Sequence, residues 1–161
     1  MRIRPSPLIA TASAALIALS PAAFAQETGG TADEARAMLM KAVAAVRADE
    51  AKALDMFNKG EGGFRDRDLY VFCINASDGA IVATGNPNLK LALGTDIRAA
   101  QNSTGDAFGE EIYAAIQKPE GEITEVSYVA PRPGPDDRLA ARVSLITRAD
   151  NDIGCGVSYY K

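Results

Sequence analysis

Histidine is absent from the 161-residue chain. That gap alone removes Ser-His-Asp triads, histidine-ligated zinc or haem, and C-x-x-C-H haem attachment. Tryptophan is absent too, aromatics make up 6% of the residues, and the 2 cysteines cannot form a thiolate zinc site alone. Positive charge is in deficit, with 17 Lys and Arg against 21 Asp and Glu. A net acidic chain lacks the basic face that phosphate backbones need, so nucleic acid is not an expected partner. No apolar run approaches the roughly 18 residues of a spanning helix. What is present, 47% hydrophobic and 24% charged residues, is ordinary for one globular domain. It offers few catalytic side chains and implies no cofactor and no metal.

The first 25 residues read as an address. Arg2 and Arg4 form a basic leader, Leu8 to Leu19 is a short apolar stretch, and Pro21 breaks it. Ala23-Phe24-Ala25 then supplies small residues at the −3 and −1 positions of a signal-peptidase site. An uncleaved anchor is the rival reading, disfavoured by the shortness of the apolar run and by the cleavage motif. The mature chain is expected to run from Gln26 to Lys161 as a single periplasmic domain, without membrane insertion after cleavage. At about 136 residues it is large enough to bury one real core.

Thr31-Ala32-Asp33-Glu34 fits a capping box. From Ala35 to Phe57 apolar residues recur at three- and four-residue spacing, which predicts one amphipathic helix of about seven turns, ended by Asn58-Lys59-Gly60. From Leu69 the period shifts towards two. Leu69–Asn75 reads as a central strand, Ser77-Asp78-Gly79 as a turn, and Ala80–Thr84 as its hairpin partner. Residues 85–104 form a long, mostly irregular crossing segment, and a loop of that length in a small domain is usually functional or disordered. Asp106–Gln117 is a second, shorter helix. Strands follow at Glu122–Val129, Leu139–Thr147 and Ile153–Tyr160, the first two joined by a Pro-rich loop at 131–137.

Taken in order, several segments resemble the single Cache domain, a PAS-like extracytoplasmic ligand-binding module. They are the long N-terminal helix, Asp68-Leu69-Tyr70-Val71-Phe72, Asp78-Gly79, Asn86-Pro87 with Leu93-Gly94, and Gly105-Asp106-Ala107-Phe108. Tyr128 with Pro131-Arg132-Pro133-Gly134 and the terminal Gly154-Cys155-Gly156-Val157-Ser158-Tyr159-Tyr160-Lys161 complete the set. The resemblance spans residues 31–161. It implies an α+β fold: a five-stranded antiparallel sheet in the order 2-1-5-4-3, the long helix on one face and a pocket on the other. The chain departs from the pattern at Gln101-Asn102, where Lys-Asp is common, and at Thr84, where His is common. Both departures bear on the ligand more than on the fold.

Alternation in the fourth of these strands puts Arg142 on one face with Ala140, Ser144 and Ile146. Its guanidinium is either a fork aimed at a carboxylate or phosphate or an arginine crossing a solvated sheet face. The resemblance favours the ligand, because it places a basic residue at this point of the pocket strand. Tyr128, with a polar tip on a packing ring, is either a pocket residue or a core tyrosine. Arg132 in the Pro-rich loop and Arg98 on the crossing segment are further ligand candidates, each also readable as a solvated arginine. The carboxylate pairs Glu110-Glu111 and Asp136-Asp137 read as surface charge. Gly60-Glu61-Gly62-Gly63 follows a helix instead of opening one, so it is no phosphate cradle.

Export places the cysteines in an oxidising compartment. The implied strand order makes the strands of Cys73 and Cys155 neighbours, which points to a cross-strand disulfide. Two buried thiols are the alternative, and a redox pair is disfavoured by the absence of C-x-x-C spacing. A bridge closing a loop of about 80 residues would contribute up to ~4.5 kcal/mol in the chain-entropy model. The resulting expectation is a non-enzymatic, sensor-type domain that binds a small anionic, carboxylate-like molecule and acts through a partner such as a membrane receptor. The competing expectation is an accessory or structural subunit that uses the same fold as an interaction surface.

Overall fold

The computed structural model describes residues 29–102, 104–133 and 138–161. The expected signal peptide, at 1–25, and the tip of the Pro-rich loop, including Asp136-Asp137, lie outside the described residues. The capping box forms as the sequence demands. The backbone N–H of Glu34 donates to Thr31 Oγ1 at 3.2 Å, and Glu34 Oε2 accepts from the Thr31 N–H at 2.8 Å. Helix α1 then runs Ala32–Ala48 and buries Ala35, Met38, Leu39, Ala42, Val43 and Val46.

The expected single long helix is instead two. Asp49 takes an extended conformation (φ −164°, ψ 95°), and its carboxylate accepts from the Lys52 N–H at 3.1 Å. Aspartate offers the backbone a side-chain partner that lets a new helix start. The second helix, α2, covers Glu50–Lys59 and stops at Gly60, whose φ of 69° suits a residue without Cβ.

The strands are β1 (Arg65–Asp66), β2 (Leu69–Asn75), β3 (Ile81–Thr84), β4 (Thr124–Pro131), β5 (Leu139–Arg148) and β6 (Ile153–Tyr160). They form one antiparallel sheet in the order β1-β2-β6-β5-β4, with β3 also paired to β2. The five expected strands therefore lie in the implied order, and the two-residue β1 is an addition. Ala80 falls outside β3 and bridges to Asp96. The crossing segment carries two short 3₁₀ turns, Pro87–Ala92 and Ile97–Ala99, and leads into α3 (Phe108–Ile116).

Alternation divides the sheet into two cores. Leu69, Val71, Cys73, Val143, Leu145, Cys155 and Val157 face α1 and α2. Ile74, Val126 and Ile146 face α3 and the crossing segment through Ile97, Ile112 and Ile116. Two glycines of β6 keep that second face smooth. A Cβ at Gly154 would lie 2.3 Å from Ile116, and one at Gly156 would lie 2.5 Å from Phe72. On the helix face Cys73 and Cys155 stand directly opposite each other, with Cα atoms 4.1 Å apart, and form the disulfide. Both are fully enclosed, at 0% and 1% exposure.

Candidate functional site

Between the second sheet face and the crossing segment lies a cavity of about 250 Å³. Its floor comes from Tyr70 and Phe72 of β2, Ile81 and Thr84 of β3, Tyr128 of β4 and Ser158 of β6. Leu89, Ala92, Ile97, Ala100 and Gln101 of the crossing segment, with Phe108 and Ile112 of α3, close the other side. The long irregular segment thus acts as a wall. It is pinned from outside by Lys90, whose Nζ donates to the carbonyl oxygens of Asn58 and Thr84. Asn58 Oδ1 in turn accepts from the Thr84 N–H at 3.0 Å. Among the described residues, no lining side chain carries a charge.

Arg142 adjoins this cavity without lining it. It is directly opposite Tyr128 on one side and Tyr160 on the other. It keeps only 8% of its surface exposed. Its Nη1 donates to the Tyr160 hydroxyl at 2.9 Å, which donates onward to the Pro131 carbonyl at 2.5 Å. The guanidinium lies 4.8 Å from the Tyr160 ring and 5.3 Å from the Tyr70 ring. Among the described residues, the buried Nε and Nη2 have no hydrogen-bond partner. Burial works against the charge, but the phenols of Tyr70, Tyr128 and Tyr160 outweigh it and hold the pKa above its ordinary value. A guanidinium is protonated at any ordinary pH, so the side chain is cationic. A buried cation with two unspent donors is costly to a fold, so its presence calls for an explanation.

Beside it runs a hydroxyl chain across three strands. Tyr128 OH lies 3.1 Å from Ser144 Oγ, and Ser144 Oγ lies 2.6 Å from Ser158 Oγ. Three hydroxyls joined by two bonds leave one proton unspent. Running the chain in one direction or the other puts that proton on Tyr128 or on Ser158, both of which line the cavity, whereas with both neighbours donating to Ser144 it stays on Ser144. The Tyr128 ring stacks on Phe108 with centroids 4.1 Å apart.

The other two arginines expected at the site lie elsewhere. Arg98 is bound to Asp96 through Nε and Nη2, at 2.9 and 2.6 Å. Nη2 also donates to the Asp78 carbonyl, and the guanidinium rests over the Tyr113 ring at 4.6 Å. It clamps the β2–β3 turn to the crossing segment. Arg132 lies over the outer side of Tyr160, 5.6 Å from the ring, and lines a separate polar cleft with Gly29, Arg67, Asp68 and Pro133. Neither reaches the cavity, because local partners and the turn of the chain hold them outside it. The sequence had offered no signal for Tyr70, Phe72, Ser158 and Phe108 as cavity residues, apart from the strand alternation that puts Tyr70 and Phe72 on one face.

No protein-family model and no curated protein matches the sequence. Solved structures do match the fold. A methyl-accepting chemotaxis protein from Vibrio parahaemolyticus RIMD 2210633 superposes with a TM-score of 0.58, at 18% identity, over 80% of this chain and 86% of its own. A periplasmic sensor domain of a chemotaxis protein superposes with a TM-score of 0.54, at 16% identity, over 80% of this chain and 88% of its own. The chain shares the fold of these two proteins. That agrees with the α+β, PAS-like architecture that the Cache resemblance implied. Among the described residues, no helix is long and apolar enough to cross a membrane.

Proposed function

We propose that the chain is an exported, non-enzymatic sensor-type domain that binds a small organic anion in the cavity between its sheet and α3. The observation that carries this reading is Arg142, a buried cation at the edge of a ligand-sized space whose Nε and Nη2 have no partner among the described residues. A carboxylate accepts from two guanidinium donors at once and would relieve both, provided that binding brings the guanidinium to the wall of the cavity, which it does not line without ligand. Tyr128, Ser158 and the shared hydroxyl proton supply a further donor. The sensor-domain fold of the two chemotaxis proteins and the disulfide support an extracytoplasmic location. Residues 1–25 act as the signal peptide in this reading, so the periplasmic protein should begin at Gln26 when its mass is measured. A receptor in the membrane is the natural partner for such a domain.

A thermal-shift screen of the purified protein against carboxylates, amino acids and purines tests the proposal. A carboxylate at 100 times its Kd adds about 2.7 kcal/mol of apparent stability, visible as a raised melting temperature. Silence across the library would favour an accessory subunit that uses the fold as a docking surface.

A further inference from the structure

Building on that reading, we infer that the ligand is a monocarboxylate with a single-ring apolar body, its one charge met by Arg142 and its ring held among Phe72, Phe108 and Tyr128. Three observations combine. The cavity measures about 250 Å³, whereas an apolar cavity of roughly 150 Å³ suffices for benzene. A ring plus one headgroup therefore fits, and a two-carbon acid would leave most of the space unfilled. Among the described residues, the lining is aromatic and aliphatic with scattered hydroxyls and one amide, and no lining side chain is charged. A second carboxylate would be desolvated there without a cation, and an α-ammonium without a carboxylate, each at a prohibitive cost. Among the described residues, the guanidinium beside the cavity meets one hydroxyl and two aromatic rings and forms no salt bridge, so one anionic group matches it in number.

The test is calorimetric titration of the purified protein with four probes: benzoate, acetate, succinate and phenylalanine, with benzyl alcohol as the uncharged control. Benzoate is expected to bind at least about tenfold more tightly than each of the others: burial of one ring readily supplies the gap to acetate and succinate, and desolvation of the ammonium the gap to phenylalanine. Arg142→Lys keeps the charge but loses the planar fork and should weaken benzoate about tenfold or more. Arg142→Ala should weaken it at least about thirtyfold. Should either variant melt without cooperativity, the side-chain Nε–H resonance of Arg142 in the unaltered protein serves instead, and it should move downfield on adding benzoate. Succinate or phenylalanine binding as tightly as benzoate, with the same dependence on Arg142, would overturn the single-ring inference and leave the anion-binding function standing. Benzyl alcohol matching benzoate would overturn both, as would an Arg142 resonance unmoved by bound benzoate. No binding by any probe would overturn the inference, and the wider screen would then decide the function.

Discussion

Arg142 sets a residue-scale conflict between stability and use. Its guanidinium gains two aromatic faces and one hydrogen bond but leaves two buried donors unspent. Replacing such a group with an apolar chain of similar length is often neutral or stabilising. Arg142→Met is therefore expected to melt within about 1 kcal/mol of the ligand-free parent, or above it, while losing carboxylate binding. A large loss of stability in urea titration would instead make Arg142 a structural residue. Arg98 is the opposite case. Its donors are spent on Asp96 and the Asp78 carbonyl, so Arg98→Ala should loosen the turn and lower the melting temperature slightly while leaving ligand affinity unchanged. Both side chains are candidates in the sequence, Arg142 the stronger because the resemblance places a basic residue at its position. Strand alternation was enough to put Arg142 on a face with Ser144. Nothing in a linear reading shows that Asp96, two residues away, folds back onto Arg98, or that Phe108 of α3 stacks on Tyr128 of β4.

At the scale of elements, the helical break at Asp49 was hidden because the apolar stripe continues across it, from Val46 to Ala53, Leu54 and Phe57, with no Gly or Pro to mark a stop. The deciding interaction is a local side-chain cap. Asp49→Ala removes it and is expected to cost about 1 kcal/mol, measurable by chemical denaturation, whereas Asp49→Asn should largely preserve it. Acidification addresses several such local structures together. Glu34 is held below the usual carboxylate range by the Thr31 N–H first and then by Arg67. Asp96 is lowered by Arg98, and Asp106 by Asn102 and Thr104. A depressed folded pKa contributes stability above the unfolded value and loses it as pH falls through the folded value. Glu50 acts in the other direction, raised by burial and then by Asp150 and Asp152, one group against three. Urea midpoints are thus expected to hold from neutral pH down to the ordinary carboxylate range near about 4 and to fall below it. A midpoint that rises on acidification would contradict this balance.

For the whole molecule, the sheet is a partition: α1 and α2 pack on a continuous apolar face, while α3 and the crossing segment cover the other face and leave a cavity. The order of strands came from resemblance to a known module, since alternation alone predicts strands and faces but not which edges meet. The disulfide followed from that order, and the structure places it inside the α1 face, away from the cavity. Because Cys73 and Cys155 are enclosed, native protein should resist alkylation even with mild reductant, and two thiols should react only after unfolding and reduction. Cys73→Ala with Cys155→Ala should cost about 2–5 kcal/mol while preserving the circular dichroism of the folded state. Ligand binding should survive that change if protein is assayed below its lowered melting temperature.

The cavity and its buried cation make the central claim, and a crystal structure with the tightest-binding carboxylate from the screen tests it most directly. The account predicts the ligand's body among Phe72, Phe108 and Tyr128, with its carboxylate oxygens about 2.7–2.9 Å from Arg142 Nε and Nη2. A ligand seated elsewhere on the protein, with both Arg142 donors still unpaired, would contradict it.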